Sequence, residues 1–465
     1  MRKKIDYWSY LFRYTIKLRY LNWTYIQKNK AEILFLLLNI FLFLASSYKG
    51  ITSLILPEHA NKSPLEFLSE WILSYNTGVL ILTFLTLLSK ARPIYLNYGK
   101  KKMILAHGLT TPDPNRNYEE VEPPPGYLEI EHTFLQIASD GKIGEFKDTI
   151  YFSPKINEYL INSEKIKLII TRKDLEIQKV IFDRFDKLKL FFKLKFKNSN
   201  GKKLFNENKL CLSEDLLVGK PVQCHKGTYF DTMLTNDLAG CYIANRNSTK
   251  PFVDLQIELP ITRRQGYKNS FKPISDTLLN NNMGGSTIAF TKDNKMVFWT
   301  QGGISQFSEG LIAPTGSGSC DYEDITDNDF IKTIKKTMER ELLEESTQDV
   351  NYENIVETRI IGYFRWQKRG GLPQFVGITK INLNKKELKA NPKELVIEDD
   401  FINDNLVQEF SPSESGMQDI LHYLKTRCEI KNLSVPLKYN LIALIDYIEN
   451  YPDKAKEFFL PDIMD

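Results

Sequence analysis

The sequence predicts an α/β protein, with an α/β domain at its C-terminal end after a strand-containing middle region and an N-terminal two-helix transmembrane hairpin. Three observations predict it. Two strongly apolar segments lie within the first hundred residues. Alternating, β-rich stretches recur from Tyr127 onward. A strand pair, a Gly- and Pro-rich loop and a long amphipathic helix then follow one another between Gly285 and Ser346.

The first apolar segment runs from Ile33 to Ala45 and stays mostly apolar to Tyr48; the second runs from Trp71 to Leu88. A helix needs about 20 residues to cross the hydrocarbon core, a length that both approach with their flanks. Arg2, Lys3, Lys4, Arg13, Lys17, Arg19, Lys28 and Lys30 precede the first segment, and Lys90, Arg92, Lys100, Lys101 and Lys102 follow the second. The loop between them carries Glu58, Glu66 and Glu70 beside only Lys49 and Lys62. By the positive-inside rule this predicts a two-pass protein of the inner membrane, with both termini and the soluble domains cytoplasmic and the lipid bilayer as a partner. The expected domains are 1–100 (juxtamembrane segment and hairpin), 101–126 (a Pro-rich linker), 127–284 (a mixed, strand-containing domain) and 285–465 (the C-terminal domain with its terminal helices).

Composition limits the soluble part. Hydrophobic residues make up 42% of the 465, with 28 Phe and 23 Tyr, enough for a substantial core. Sixty-two Lys and Arg stand against 58 Asp and Glu, too even a balance for a general polyanion binder, so no nucleic-acid partner is expected. The five cysteines show no CxxC or Cys/His cluster, which argues against a disulfide scaffold and structural zinc.

In the middle region "GYLEIEHTFLQI", "KIKLIITR" and "KLKLFFKLKFK" read as strands. "CHKGTYFDTMLTNDLAG" (Cys224 to Gly240) packs His225, Lys226, Tyr229, Asp231, Thr235, Asn236 and Asp237 together, as turns and helix caps or as a ligand cradle. The basic, aromatic stretch Arg263 to Lys272 is a phosphate-binding patch or a solvated connector. Ser286–Thr291 and Lys295–Thr300 form a hairpin bent at Asp293 and Asn294.

The helix that follows, "FIKTIKKTMERELLEES", is capped by Asp327 or Asp329 and buries Ile331, Ile334, Met338 and Leu342 at spacings of three and four. Glu341, Glu344 and Glu345 then share a face offset from that stripe. Their mutual repulsion is of the kind that a hard, oxygen-seeking cation such as magnesium relieves.

"RELLEES" (Arg340 to Ser346), after a hairpin and "PTGSG", resembles the Nudix hydrolase signature. The resemblance covers about residues 285–451 and implies an α/β/α sandwich. It also implies Arg340 as the orienting arginine, with Glu341 and Glu344 in catalytic roles and Glu341, Glu344 and Glu345 as ligands of magnesium, or of manganese. Lys332 stands where the family carries its first glutamate, Thr326 where it carries its glycine, and Ser346 follows the final pair of glutamates. Gly316 or Gly318 takes the glycine role only with an insertion before the helix.

Downstream, "VETRIIGYFRWQ" and "PQFVGITKINL" read as further strands, and Ser413–Leu424 and Leu437–Ile448 as terminal helices. Arg365, Trp366, Gln367, Lys368 and Arg369, at the turn between the strands, are placed to bind phosphate or stack on a base, with Arg365, Trp366 and Lys368 the candidate substrate-binding residues. Glu394, Glu398, Asp399 and Asp400 offer a fourth carboxylate. The resulting expectation is a membrane-anchored, magnesium-dependent hydrolase, a Nudix-type pyrophosphohydrolase, acting on a nucleotide or nucleoside-diphosphate derivative. The alternative is a catalytically silent nucleotide sensor coupled to the hairpin or to a signalling partner, and either form is compatible with a homo-oligomer.

Overall fold

The computed structural model describes residues 103–107, 121–137, 143–198, 206–239, 241–245, 251–265, 268–301, 310–347, 350–391, 407–409, 411 and 413–460. Two compact units emerge, one of residues 1–105, 185–203 and 243–251 and the other of residues 106–184, 204–242 and 252–465. In the first, Phe185–Asn198 is a helix, where "KLKLFFKLKFK" predicted a strand. Among its described side chains Phe185, Leu188 and Phe191 are buried, and their spacing of three satisfies a helix face although lysines alternate through the same stretch.

The second unit is built on one mixed sheet of eight strands, which curls as a half-barrel. Its first two strands are β1 (Leu128–Ile137) and β2 (Ile143–Phe152), after which comes helix α1 (Pro154–Asn162). A small sheet follows, of β3 (Leu168–Ile170), β4 (Asn208–Leu212) and β5 (Val222–Thr228). The large sheet resumes with β6 (Gly284–Phe290), β7 (Lys295–Val297) and β8 (Gly316–Ser319). Helix α2 (Phe330–Ser346) precedes the long strands β9 (Ile355–Trp366) and β10 (Leu372–Ile381) and the short β11 (Val407–Glu409). The chain closes with α3 (Glu414–Cys428), α4 (Val435–Asn450) and α5 (Pro452–Phe459).

The sheet order is β11-β7-β6-β10-β9-β2-β1, with β8 also on β6. Only β6 and β10 run parallel among the pairs of this sheet, in register from Gly284 opposite Gln374 to Phe290 opposite Lys380. The sheet crosses residue 284, where the sequence placed a domain boundary, because β2 pairs with the end of β9 through Ile150 opposite Trp366.

Alternate strand residues feed separate cores. Ile288, Phe364, Val376 and Ile378 pack with Leu437, Leu441 and Leu444 of α4. Tyr363 and Phe375 pack with Phe330, Ile334 and Met338 of α2. Of the two candidate caps, Asp329 is the one that holds α2, its carboxylate accepting from the Ile331 amide at 3.0 Å. Asp327 and Asn328 instead form the left-handed approach to it, with φ of 55° and 50°. Ser434 caps α4 by accepting from the Leu437 amide at 3.4 Å.

The expected fold class is corrected. The second unit is a mixed α/β structure around a curled sheet, and among the described residues no helix is long and apolar enough to cross a membrane. The expected two-helix hairpin, two-pass inner-membrane location and bilayer partner are corrected to that extent: no described helix supplies a membrane span. Ile33–Ala45 and Trp71–Leu88, which carried that expectation, lie outside the described residues.

Candidate functional site

The glutamates of α2 do not converge on an open space. Glu341 and Glu344 converge on Arg340, whose side chain is 14% exposed. Its Nε donates to Asp324 Oδ1 at 3.0 Å and its Nη2 to Asp324 Oδ2 at 2.9 Å. Nη2 also donates to the Ser319 carbonyl at 2.9 Å and lies 3.4 Å from Asp321. Nη1 donates to Glu341 at 2.9 Å and to Glu344 at 3.1 Å. Glu345, buried, accepts from the Ser317 amide at 2.9 Å.

The chemistry of this arrangement is that of a guanidinium among carboxylates. Burial pushes the Glu341 carboxyl up to about 7, with the Arg340 charge opposing the shift and Glu344 adding to it. The surrounding carboxylates hold the Arg340 pKa well above its ordinary value despite its burial. A magnesium ion needs oxygen ligands turned toward it in near-octahedral geometry. Here Glu341 and Glu344 are turned to Arg340 and Glu345 to a backbone amide, and among the described residues no group of three or more His, Cys, Asp or Glu is placed to hold a metal. The expected magnesium-dependent hydrolase is corrected on that ground, because these residues do not fit the metal they were assigned. Glu394, Glu398, Asp399 and Asp400 lie outside the described residues.

The other face of the sheet carries a cavity of about 260 Å³. Strand alternation separates the two sites. A Cβ at Gly316 would lie 2.4 Å from Leu342 Cα, one at Gly318 2.1 Å from Glu341 Cδ, and one at Gly285 3.0 Å from Thr337. Those positions face α2, so Gly284, Ser286, Ser317 and Ser319 face away from it. They form the cavity floor together with Leu372 and Gln374 of β10, and Ser434 and Pro436 at the start of α4 make one wall. Tyr229, Asp237, Trp366 and Arg369 make another.

Each wall group has a defined anchor. The Trp366 indole donates to Asp148 at 2.5 Å, and burial pushes that carboxyl up to about 6 while the Lys368 charge opposes it. Arg369 donates to Asp237 Oδ1 through Nε at 3.0 Å and Nη2 at 2.9 Å, and its guanidinium lies 5.4 Å from the Trp366 ring centroid. Two amides are presented differently. Gln374 Nε2 donates to the Pro373 carbonyl at 3.0 Å, which leaves Oε1 to accept. Asn282, 4% exposed, holds its Oδ1 buried without a hydrogen-bond partner among the described residues. An unpaired buried amide oxygen costs about 1–3 kcal/mol, a cost that a ligand N–H removes.

Of the three substrate-binding candidates only Trp366 lines this cavity. Arg365 is fully buried and works as an internal pin, donating to Asp215 at 3.2 Å, to the Lys272 carbonyl at 2.9 Å and to the Gly371 carbonyl at 3.4 Å. Lys368 reaches over the Phe134 ring at 5.9 Å. The segment Cys224–Gly240 joins both of its sequence readings. Thr228 and Asp231 form a capping box on the helix Tyr229–Leu234, while Tyr229 and Asp237 line the cavity. Asn282 and Gln374 were missed; the available signal was the pair Gly284–Gly285 opening a buried strand, since paired glycines there mark a close approach.

No family model matches the chain. No curated protein matches it. Among solved structures it is similar to DR0079 from Deinococcus radiodurans at 10% identity, over 35% of this chain and 81% of that one, with a TM-score of 0.23.

Proposed function

We propose that the protein binds a small, flat nitrogen heterocycle bearing an N–H donor in the cavity beneath Trp366, without a metal held by α2. The observation that carries the reading is the Asn282 carboxamide, nearly fully buried in the cavity lining with its oxygen unpaired. Gln374 Oε1 is a second acceptor with its amide nitrogen already engaged. Tyr229 and Trp366 supply the aromatic surface expected of a pocket for a flat ring. Adenosine and purine riboside test it, because the second lacks only the amino group of the first. Calorimetric titration of the full chain is expected to show adenosine binding at least about tenfold more tightly, the equivalent of one hydrogen bond to an otherwise unpaired group. Asn282→Leu is expected to abolish that difference. No binding of either compound, or equal binding of both, contradicts the proposal.

A second reading is favoured by one observation. The Glu341 carboxyl, pushed up to about 7 by burial, lies where a proton acceptor works best near neutral pH. In that reading, which follows the resemblance of Arg340–Ser346 to the Nudix signature, the protein is a pyrophosphohydrolase and Glu341 takes the proton of the attacking water. Cleavage of a panel of diphosphate compounds into phosphomonoesters, lost in Glu341→Gln, supports it; cleavage that survives the substitution rules Glu341 out.

A further inference from the structure

We propose that Arg340 stands in place of a divalent cation, so that the acidic end of α2 is a metal-free lock holding the strand that floors the cavity. The guanidinium has oxygen partners of the kind a hard cation collects: both Asp324 oxygens, one each from Asp321, Glu341 and Glu344, and the Ser319 carbonyl, all between 2.9 and 3.4 Å. These come from three places in the chain, the β8 terminus, the turn that follows it and the last two turns of α2.

The lock has further supports. Thr337 Oγ1 donates to Asp324 Oδ2 at 3.0 Å, and Lys209 from β4 pairs with Asp321, so the carboxylates are held from outside as well as from the centre. Gly318 is kept free of a side chain because Glu341 lies where its Cβ would be. The Ser319 carbonyl on Arg340 and the Ser317 amide on Glu345 then fix both ends of the cavity floor contributed by β8. A planar, permanently charged guanidinium can bind several carboxylates at once, which a lysine ammonium on its flexible stem cannot do in this geometry. Four carboxylates left without it would repel one another and draw in a cation from solution.

The test is thermal unfolding of the full chain in EDTA and in Mn²⁺, for wild type, Arg340→Gln and Arg340→Lys. Wild type is expected to melt at the same temperature in both solutions. R340Q is expected to melt several degrees lower in EDTA and to recover, saturably, in Mn²⁺. R340K is expected to fall between the two and to respond to Mn²⁺ less than R340Q. A saturable rise in the wild-type melting temperature with Mn²⁺, abolished in Glu341→Gln, would overturn the proposal by showing that the native cluster takes the cation itself. So would R340Q that remains folded but indifferent to Mn²⁺, or that stays unfolded in both solutions, since the ion is expected to restore what the guanidinium supplied. This outcome is independent of whether any heterocycle binds in the cavity.

Discussion

Gly316→Ala is expected to be among the most damaging single-methyl additions in the molecule. A Cβ there would lie 2.4 Å from Leu342 Cα and 2.5 Å from Leu342 N, whereas carbon atoms rest at about 3.5–4.0 Å. Both obstructing atoms are helix backbone, so no rotamer change relieves the overlap. Strand β8 and helix α2 must separate by roughly 1 Å, which loosens the packing of Leu342, itself 1% exposed. Overpacking of this kind costs about 1–3 kcal/mol when side chains can adjust, and the upper end applies where backbone meets backbone. Urea unfolding of the variant, compared with wild type at unchanged m-value, is expected to show a loss of about 3 kcal/mol. A loss below about 0.5 kcal/mol would refute the close approach of β8 to α2 on which the separation of the two sites depends.

Gly284→Ala is the complementary case, because the three atoms nearest its Cβ are all at the far end of the Gln374 side chain, which can swing away. Stability is expected to fall by about 1 kcal/mol or less while heterocycle affinity falls about tenfold by calorimetry; unchanged affinity would place the ligand elsewhere. For Glu341 the folded pKa, about 7, lies above the ordinary carboxylate value. The folded state therefore holds that proton more tightly, and the contribution to stability is present at acid pH and lost as pH rises through about 7. At about 1.4 kcal/mol per unit, unfolding free energy is expected to drop by roughly 3 kcal/mol between about pH 5 and pH 8, and Glu341→Gln to flatten that slope; an unaltered slope would assign the titration to another group. Arg365→Met is expected to cost about 3 kcal/mol in denaturant unfolding, because Asp215 and the Lys272 carbonyl lose their buried donor. A cost under about 1 kcal/mol would show that Arg365 is not the pin described above.

Helix α2 was legible because its buried residues keep helical spacing and its cap is an aspartate, although sequence alone left Asp327 and Asp329 equivalent. The left-handed backbone at Asp327 is what settles the choice. The acidic face was legible as a cluster of charge but not as a closed one. Asp321 and Asp324, which take up Arg340, sit in "GSGSCDYED", where the glycines drew the reading toward a loop. Residues 187–197 misled because alternating lysines mimic a strand while the apolar spacing of three belongs to a helix. The cavity was legible only in pieces, as Tyr229 and Asp237 in one segment and Trp366 in another. Tyr229, Asn282, Ser317, Arg369, Gln374 and Ser434 come together only after β6 pairs with both β8 and β10 and α4 docks against the same face. Those pairings join residues tens to hundreds of positions apart, and no local pattern announces them.

The central claim is that ligand chemistry belongs to the cavity face of the sheet and is independent of any metal on α2. The most direct test is calorimetric titration of adenosine into the full chain in EDTA, repeated with Asn282→Leu and with Glu344→Gln. The account predicts that adenosine binds in EDTA, about tenfold more weakly in N282L and unchanged in E344Q. Binding that requires a divalent cation and disappears in E344Q while surviving in N282L would contradict it and return the site to the acidic helix.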